Sequence, residues 1–201
     1  MSTAEDRTMS MSVKQYLASE LERDTKHEFI DGCIYAMAGA SINHERISGN
    51  IFGELRNHLK GSPCEPLASD MKVKVIDNFY YPDVLVDCNF DSTTPYYTET
   101  PVIIVEVLSR STRRLDETKK LVEYLNIPTL QEYVLIEQDV ADVTVYRKSD
   151  DWRCVHYFLG DLITFESINL TLAVEEIYYR VENQDVIEYF AVKEPENNPQ
   201  S

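Results

Sequence analysis

Residues 101–109, PVIIVEVLS, restrict the fold more than any other stretch of the chain. A near-continuous apolar run without helical spacing suits a strand covered on both faces, which requires a sheet with layers above and below it. The run is interrupted once, by Glu106. An ionised carboxylate in such a strand costs several kcal/mol unless it is paired or bound to a metal. Glu106 therefore needs a partner, and the search for that partner organises the rest of the sequence.

The surrounding pattern supplies the layers. MSVKQYLASELERD has Ser12 as an N-cap and Val13, Tyr16, Leu17 and Leu21 at helical spacing. Asp31-Gly32 sits between two apolar stretches and predicts a hairpin. Ile47, Ile51, Leu55 and Leu59 recur at every fourth position in a second helix that ends at Gly61. CEPLASDMKVKVIDN and FYYPDVLVDC each read as one strand, with NFDSTTPYYTET a loop before PVIIVEVLS. STRRLDETKKLVEYLNIP reads as a helix stopped before Pro128, and QEYVLIEQ, ADVTVYRK and DWRCVHYFL as further strands. A short apolar piece, LITF, and a short helix near AVEEIYYR follow. The order predicts an α/β protein with one central mixed sheet flanked by helices, preceded by a helix and hairpin.

The chain of 201 residues fits one domain, expected over 11–190, with flexible ends at 1–10 and 191–201. A net charge of -16 opposes easy binding to phosphates, so any basic groove has to be local. The four cysteines are widely spaced, with no Cys-x-x-Cys pair, which argues against structural zinc. The polar start and the lack of a run of about 20 apolar residues point to a cytoplasmic protein with reduced thiols and no membrane span.

YYPDVLVD, residues 80–87, carries two more acids in strand context. Alternation puts Asp83, Leu85 and Asp87 on one face, and Asp83 can meet Glu106 if the two strands are neighbours. Asp87 lies about 13 Å further along an extended strand and outside such a site. Two nearby carboxylates and a substrate phosphate suit a hard cation such as Mg²⁺, which would make phosphodiester hydrolysis the reaction class. The competing reading makes Asp83 a strand-end residue after Pro82 and gives Glu106 a nearby Arg or Lys.

EFIDGCIYAMAGA, NHERISGNIFGELRNHL, SDMKVKV, YYPDVLVDC, PVIIVEVLSRST, DETKKLVEYLNIPTLQEYVLI and VTVYRKSDDW follow one another with spacings that resemble the Uma-two family of restriction-endonuclease-like proteins, within the PD-(D/E)xK nuclease superfamily. The resemblance runs from about Tyr16 to Tyr178. It implies a restriction-endonuclease-like core, with Asp83 and Glu106 as catalytic acids that bind Mg²⁺ or Mn²⁺ and nucleic acid, DNA first, as the substrate. The residue two after Glu106 is Leu108, where the superfamily triplet has lysine. A lysine of the following helix is the implied substitute, Lys119 or Lys120, and the family register favours Lys120. A homodimer follows only by analogy with relatives that cut both strands.

Glu28 and Asp70 are candidates for supporting acids. His44 reads as a hydrogen-bonding residue at a helix start. Arg110, Arg113 and Arg114, with the two lysines, are the candidate local basic patch. Tyr80-Tyr81 and Tyr96-Tyr97 could stack on bases, although core or edge packing explains them better in a chain rich in Tyr. Two functions remain in view: a metal-dependent nuclease, and a catalytically silent binding or interaction module that keeps the same fold.

Overall fold

The computed structural model describes residues 11–193, so the ends expected at 1–10 and 194–201 lie outside the described residues. Residues 191–193, expected in the C-terminal tail, instead finish a helix.

The N-terminal pattern folds as read. Helix α1 (Val13–Glu20) begins with a capping box in which Ser12 and Gln15 satisfy each other's backbone N–H. Strands β1 (His27–Ile30) and β2 (Cys33–Ala36) form the hairpin, with Asp31 and Gly32 both at positive φ as the tight turn requires. Helix α2 (Ile42–His58) buries Ile47, Ile51 and Leu55 completely, and burial of each such side chain contributes about 1.5–3 kcal/mol.

The next two segments each break in two, against expectation. Residues 64–78 give β3 (Glu65–Ala68) and β4 (Lys72–Val75), separated by the turn at 69–71. Residues 79–88, joined by Asn78, give β5 (Asn78–Tyr80) and β6 (Val84–Asp87), separated at Pro82, which lacks the N–H a ladder needs. A two-residue strand, β7 (Tyr97–Thr98), interrupts the expected loop. These breaks let the chain change sheets. The first sheet has the order β2-β1-β5-β4-β7 and is additional to the expected central mixed sheet, one that the sequence pattern does not predict.

The second sheet is built on β8 (Pro101–Leu108), which pairs antiparallel with β6 and parallel with β9 (Glu132–Glu137). β10 (Val143–Arg147) and β11 (Cys154–Tyr157) extend one edge and β3 the other. The parallel β8–β9 step requires a crossover, supplied by α3 (Arg113–Leu115), a π-helical turn (Asp116–Lys120) and α4 (Leu121–Tyr124). A separate hairpin, β12 (Leu162–Phe165) with β13 (Leu170–Ala173), precedes α5 (Val174–Ile177) and α6 (Gln184–Lys193).

Both faces of the second sheet are covered, as its apolar central strand demands. Ile103, Val105 and Val107 pack with Val84, Val86 and the apolar stripe of α2. Ile104 and Leu108 face the other way, toward Leu85, Tyr124 and Tyr133. Glu106 shares this second face by alternation. The antiparallel β3–β6 register also places Cys64 and Cys88 beyond the Glu65–Asp87 pair, where they form a disulfide. The expectation of reduced thiols throughout is thereby corrected, and Cys33 and Cys154 are the free cysteines among the described residues.

Candidate active site

Val84 pairs with Val105, and this register continued by one residue sets Asp83 abreast of Glu106. Asp83 therefore lies in the loop just before β6, held there by the Val107 N–H, which donates to its Oδ2 at 2.7 Å. The strand-face argument for Asp83 is corrected accordingly: the residue sits at a strand entrance, abreast of the second acid. Asp87 is buried elsewhere, accepting hydrogen bonds from Thr98, Thr100 and the Asn89 N–H.

The partner of Glu106 is Lys120. Its Nζ lies 3.0 Å from Glu106 Oε1, 2.9 Å from Glu28 Oε1 and 3.0 Å from Asp116 Oδ1, and all four residues are buried. Tyr124 donates its hydroxyl to the same Glu106 oxygen at 3.2 Å, and the Tyr81 N–H donates to Glu28 at 3.2 Å. The π-turn explains why a helical wheel leaves Lys119 and Lys120 undecided. A wider turn changes the angular register within the helix, and here Asp116 and Lys120 point inward while Lys119 is one-third exposed, paired with Asp31 and Glu123. Asp116, which the residue pattern did not single out, is the missed member of the cluster. Its spacing to Lys120 was the available signal, but spacing does not report burial.

Three acids around one lysine leave an excess of negative charge. Burial raises the Glu106 pKa well above the usual carboxylate range; Lys120 pulls it down, and Asp116, Asp83 and Glu28 push it up. For Lys120 burial acts downward, but Glu106, Glu28 and Asp116 together override it and hold the ammonium well above its ordinary pKa. His44 Nε2 lies 3.3 Å from Asp83 Oδ2. Burial lowers the His44 pKa, Asp83 raises it, and the net direction is upward.

A cleft opens onto this cluster, lined by Glu28, His44, Tyr81, Asp83, Glu106 and Lys120 among others. Among the described residues no hydrogen bond reaches Oδ1 of Asp83, Oε2 of Glu106 or Oε2 of Glu28. Hard carboxylate oxygens with free lone pairs fit Mg²⁺ or Mn²⁺, which take few protein ligands and keep several waters. Among the described residues no group of three or more His, Cys, Asp or Glu forms a ready cage. The fit is that of an open site completed by water or substrate oxygens.

The other predicted residues lie outside the cluster. The Asp70 carboxylate is 93% exposed and pairs with Lys26. Arg110 is exposed and faces Asp139, while Arg113 forms a double hydrogen bond with Glu137. Lys119 is likewise neutralised, so the expected local basic patch is mostly compensated by neighbouring acids. Tyr80 and Tyr81 are buried and donate to Glu123 and Glu20, which removes them as stacking platforms. Tyr96 is exposed, and Tyr97 packs edge-on against Phe79.

Comparison with known proteins is consistent with this architecture. Residues 13–175 match the model of a family described as "Uma2: Putative restriction endonuclease". Two uncharacterized proteins of Synechocystis sp. are similar to the chain. One is 38% identical over 173 residues, covering 84% of this chain and 91% of the relative. The other is 35% identical over 149 residues, covering 72% and 84%. A crystal structure from Anabaena variabilis, described as "a putative nuclease belonging to DUF820", aligns with a TM-score of 0.70 at 17% identity. It covers 84% of this chain and 97% of its own, and shows the shared fold.

Proposed function

The chain belongs to the Uma2 family, and on that premise we propose that it is a metal-dependent nuclease that hydrolyses phosphodiester bonds in nucleic acid, DNA first among its substrates. The observation that carries the reading is the convergence of Asp83, Glu106 and Lys120 at one cleft, with an unengaged oxygen on each acid. Asp83 and Glu106 would hold Mg²⁺ or Mn²⁺, and Glu28 would support them. Such an ion, when bound, supplies Lewis-acid polarisation of the phosphate and a more acidic water.

The side chains divide the remaining work. A lysine held above its ordinary pKa keeps its proton at neutral pH, which supports a charge-stabilising role for Lys120 over that of a base. Glu28 and Asp116 fix the ammonium from two further sides, so it is aimed before a substrate arrives. Tyr124 restrains the Glu106 oxygen that Lys120 also holds, directing the other oxygen as a ligand. Among the described residues no helix is long and apolar enough to cross a membrane.

One observation favours a second reading, a catalytically silent binding or interaction module: cations around the cleft are already paired with acids, which weakens attraction for a polyanion. The test is cleavage of single- and double-stranded DNA and RNA in Mg²⁺ and Mn²⁺ by wild type, Asp83→Ala and Glu106→Ala. Metal-dependent cleavage lost in both variants is the expected result. Wild-type cleavage no greater than that of both variants across all substrates would leave the silent module.

A further inference from the structure

We propose that His44 is a positioning residue that selects which oxygen of Asp83 is offered to the cation. The inference rests on the assignment of Asp83 as a metal ligand. Helix α2 starts at the cleft, and its N-cap Ser41 accepts the His44 backbone N–H at 3.1 Å. The His44 ring then reaches Asp83, with Nε2 3.3 Å from Oδ2. That oxygen is the one that also accepts the Val107 N–H. With Oδ2 engaged from both sides, Oδ1 is the oxygen left with free lone pairs.

The ring nitrogens are not equivalent. Nδ1 is buried and meets no partner among the described residues, whereas Nε2 faces a carboxylate. A proton on Nδ1 would be a buried donor without an acceptor, so the neutral ring carries its proton on Nε2. In the doubly protonated ring Nε2 still carries one. Either state keeps a proton on the nitrogen that faces Oδ2 at 3.3 Å, so the role does not depend on titration.

A closed polar circuit holds this arrangement to the central strand. Gln138 donates through Nε2 to the Leu108 carbonyl at the end of β8 at 2.7 Å, and accepts from the Ser41 hydroxyl. Ser41 caps the turn bearing His44, His44 meets Asp83, and Asp83 returns to β8 through Val107. The ligand is thus braced from both ends of one strand segment, and residues that orient a metal's ligands typically change its affinity about 10–100-fold when removed.

The test measures Mn²⁺ binding by calorimetry and by electron paramagnetic resonance on the full chain, independently of turnover. Wild type should bind through Asp83, so that Asp83→Asn abolishes binding. His44→Ala should weaken binding about 10–100-fold. His44→Gln, which restores an N–H near the Nε2 position, should recover most of that loss. Ring ¹⁵N spectra of wild type should show the Nε2–H tautomer in the neutral ring, an assignment that needs no variant to fold. Asp83-dependent binding that His44→Ala leaves unchanged, no recovery in a folded His44→Gln, or an Nδ1–H tautomer would each overturn the inference. Wild type that binds no Mn²⁺ through Asp83 would instead remove the underlying metal-site reading, and this inference with it.

Discussion

Two clusters of buried charge sit on the same sheet and are satisfied in different ways. At the start of β9, Glu132 accepts from the Glu166 and Ser167 N–H groups and the Ser167 hydroxyl, at 2.9, 3.3 and 2.6 Å. Arg147 lies beside it, with Nε 3.7 Å from Glu132 Oε1 and no hydrogen bond to it, while its terminal nitrogens donate to the Tyr157 hydroxyl and the Thr164 carbonyl. That cluster balances one acid with one base and fills the acid's remaining lone pairs with neutral donors. The Lys120 cluster has three acids to one base, and a cleft runs up to it. Buried charge alone does not mark a site. Uncompensated acids with free lone pairs, reachable from solvent, do.

The contrast should be sharpest on removing Lys120. Lys120→Met leaves three buried carboxylates without their cation and should lower unfolding free energy by about 3–5 kcal/mol at pH 7, measured in urea. The loss should shrink at acid pH as the carboxylates protonate. Because the folded-state pKa of Lys120 is raised, its contribution is fully present below the ordinary lysine value of 10.5 and is lost as pH rises through the folded value. Wild type should therefore lose stability in strong alkali while Lys120→Met loses less. A neutral effect at pH 7 would mean that the cluster is not ionised as described.

Arg147→Met should cost somewhat less, about 3 kcal/mol, because Glu132 keeps its neutral donors. Mn²⁺ affinity should not change. An altered affinity would break the division between a structural and a functional cluster.

Glu106→Gln should move stability the other way, raising it by about 1 kcal/mol at pH 7 while removing cleavage. The folded-state pKa of Glu106 is raised, so ionisation opposes folding. The gap between variant and wild type should be absent below the usual carboxylate range and should widen as pH rises through it. A destabilised Glu106→Gln would show that Lys120 needs this charge more than the acids repel it.

The smallest effect concerns His44. Its ring should titrate above the ordinary value of 6.5 in an NMR series, and Asp83→Asn should bring that value down, because burial then acts without the carboxylate. No change in Asp83→Asn would argue that the contact is absent in solution.

Much of this arrangement was legible in residue order. The α2 stripe, the Asp31-Gly32 hairpin and the apolar β8 run each follow from local periodicity and turn chemistry, and each formed where expected. The splitting of 64–78 and 79–88 between two sheets was less legible. Strand propensity reports that a segment is extended but says nothing about which neighbour it pairs with. Tyr80 and Tyr81 illustrate the same limit, since a hydroxyl can face a base or, as here, a partly buried carboxylate.

The sequence by itself determined that Glu106, in an apolar strand, needed a partner, and that Asp83 lay in the strand-forming stretch 80–87. Only the tertiary structure decided that the cation is Lys120, that Glu28 and Asp116 share it, and that His44 meets Asp83. The physical reason is that burying a charge has a cost set by composition and pattern, whereas relieving it depends on register. The π-turn of Asp116–Lys120 and the pairing of Val84 with Val105 are information that appears only when distant segments pack.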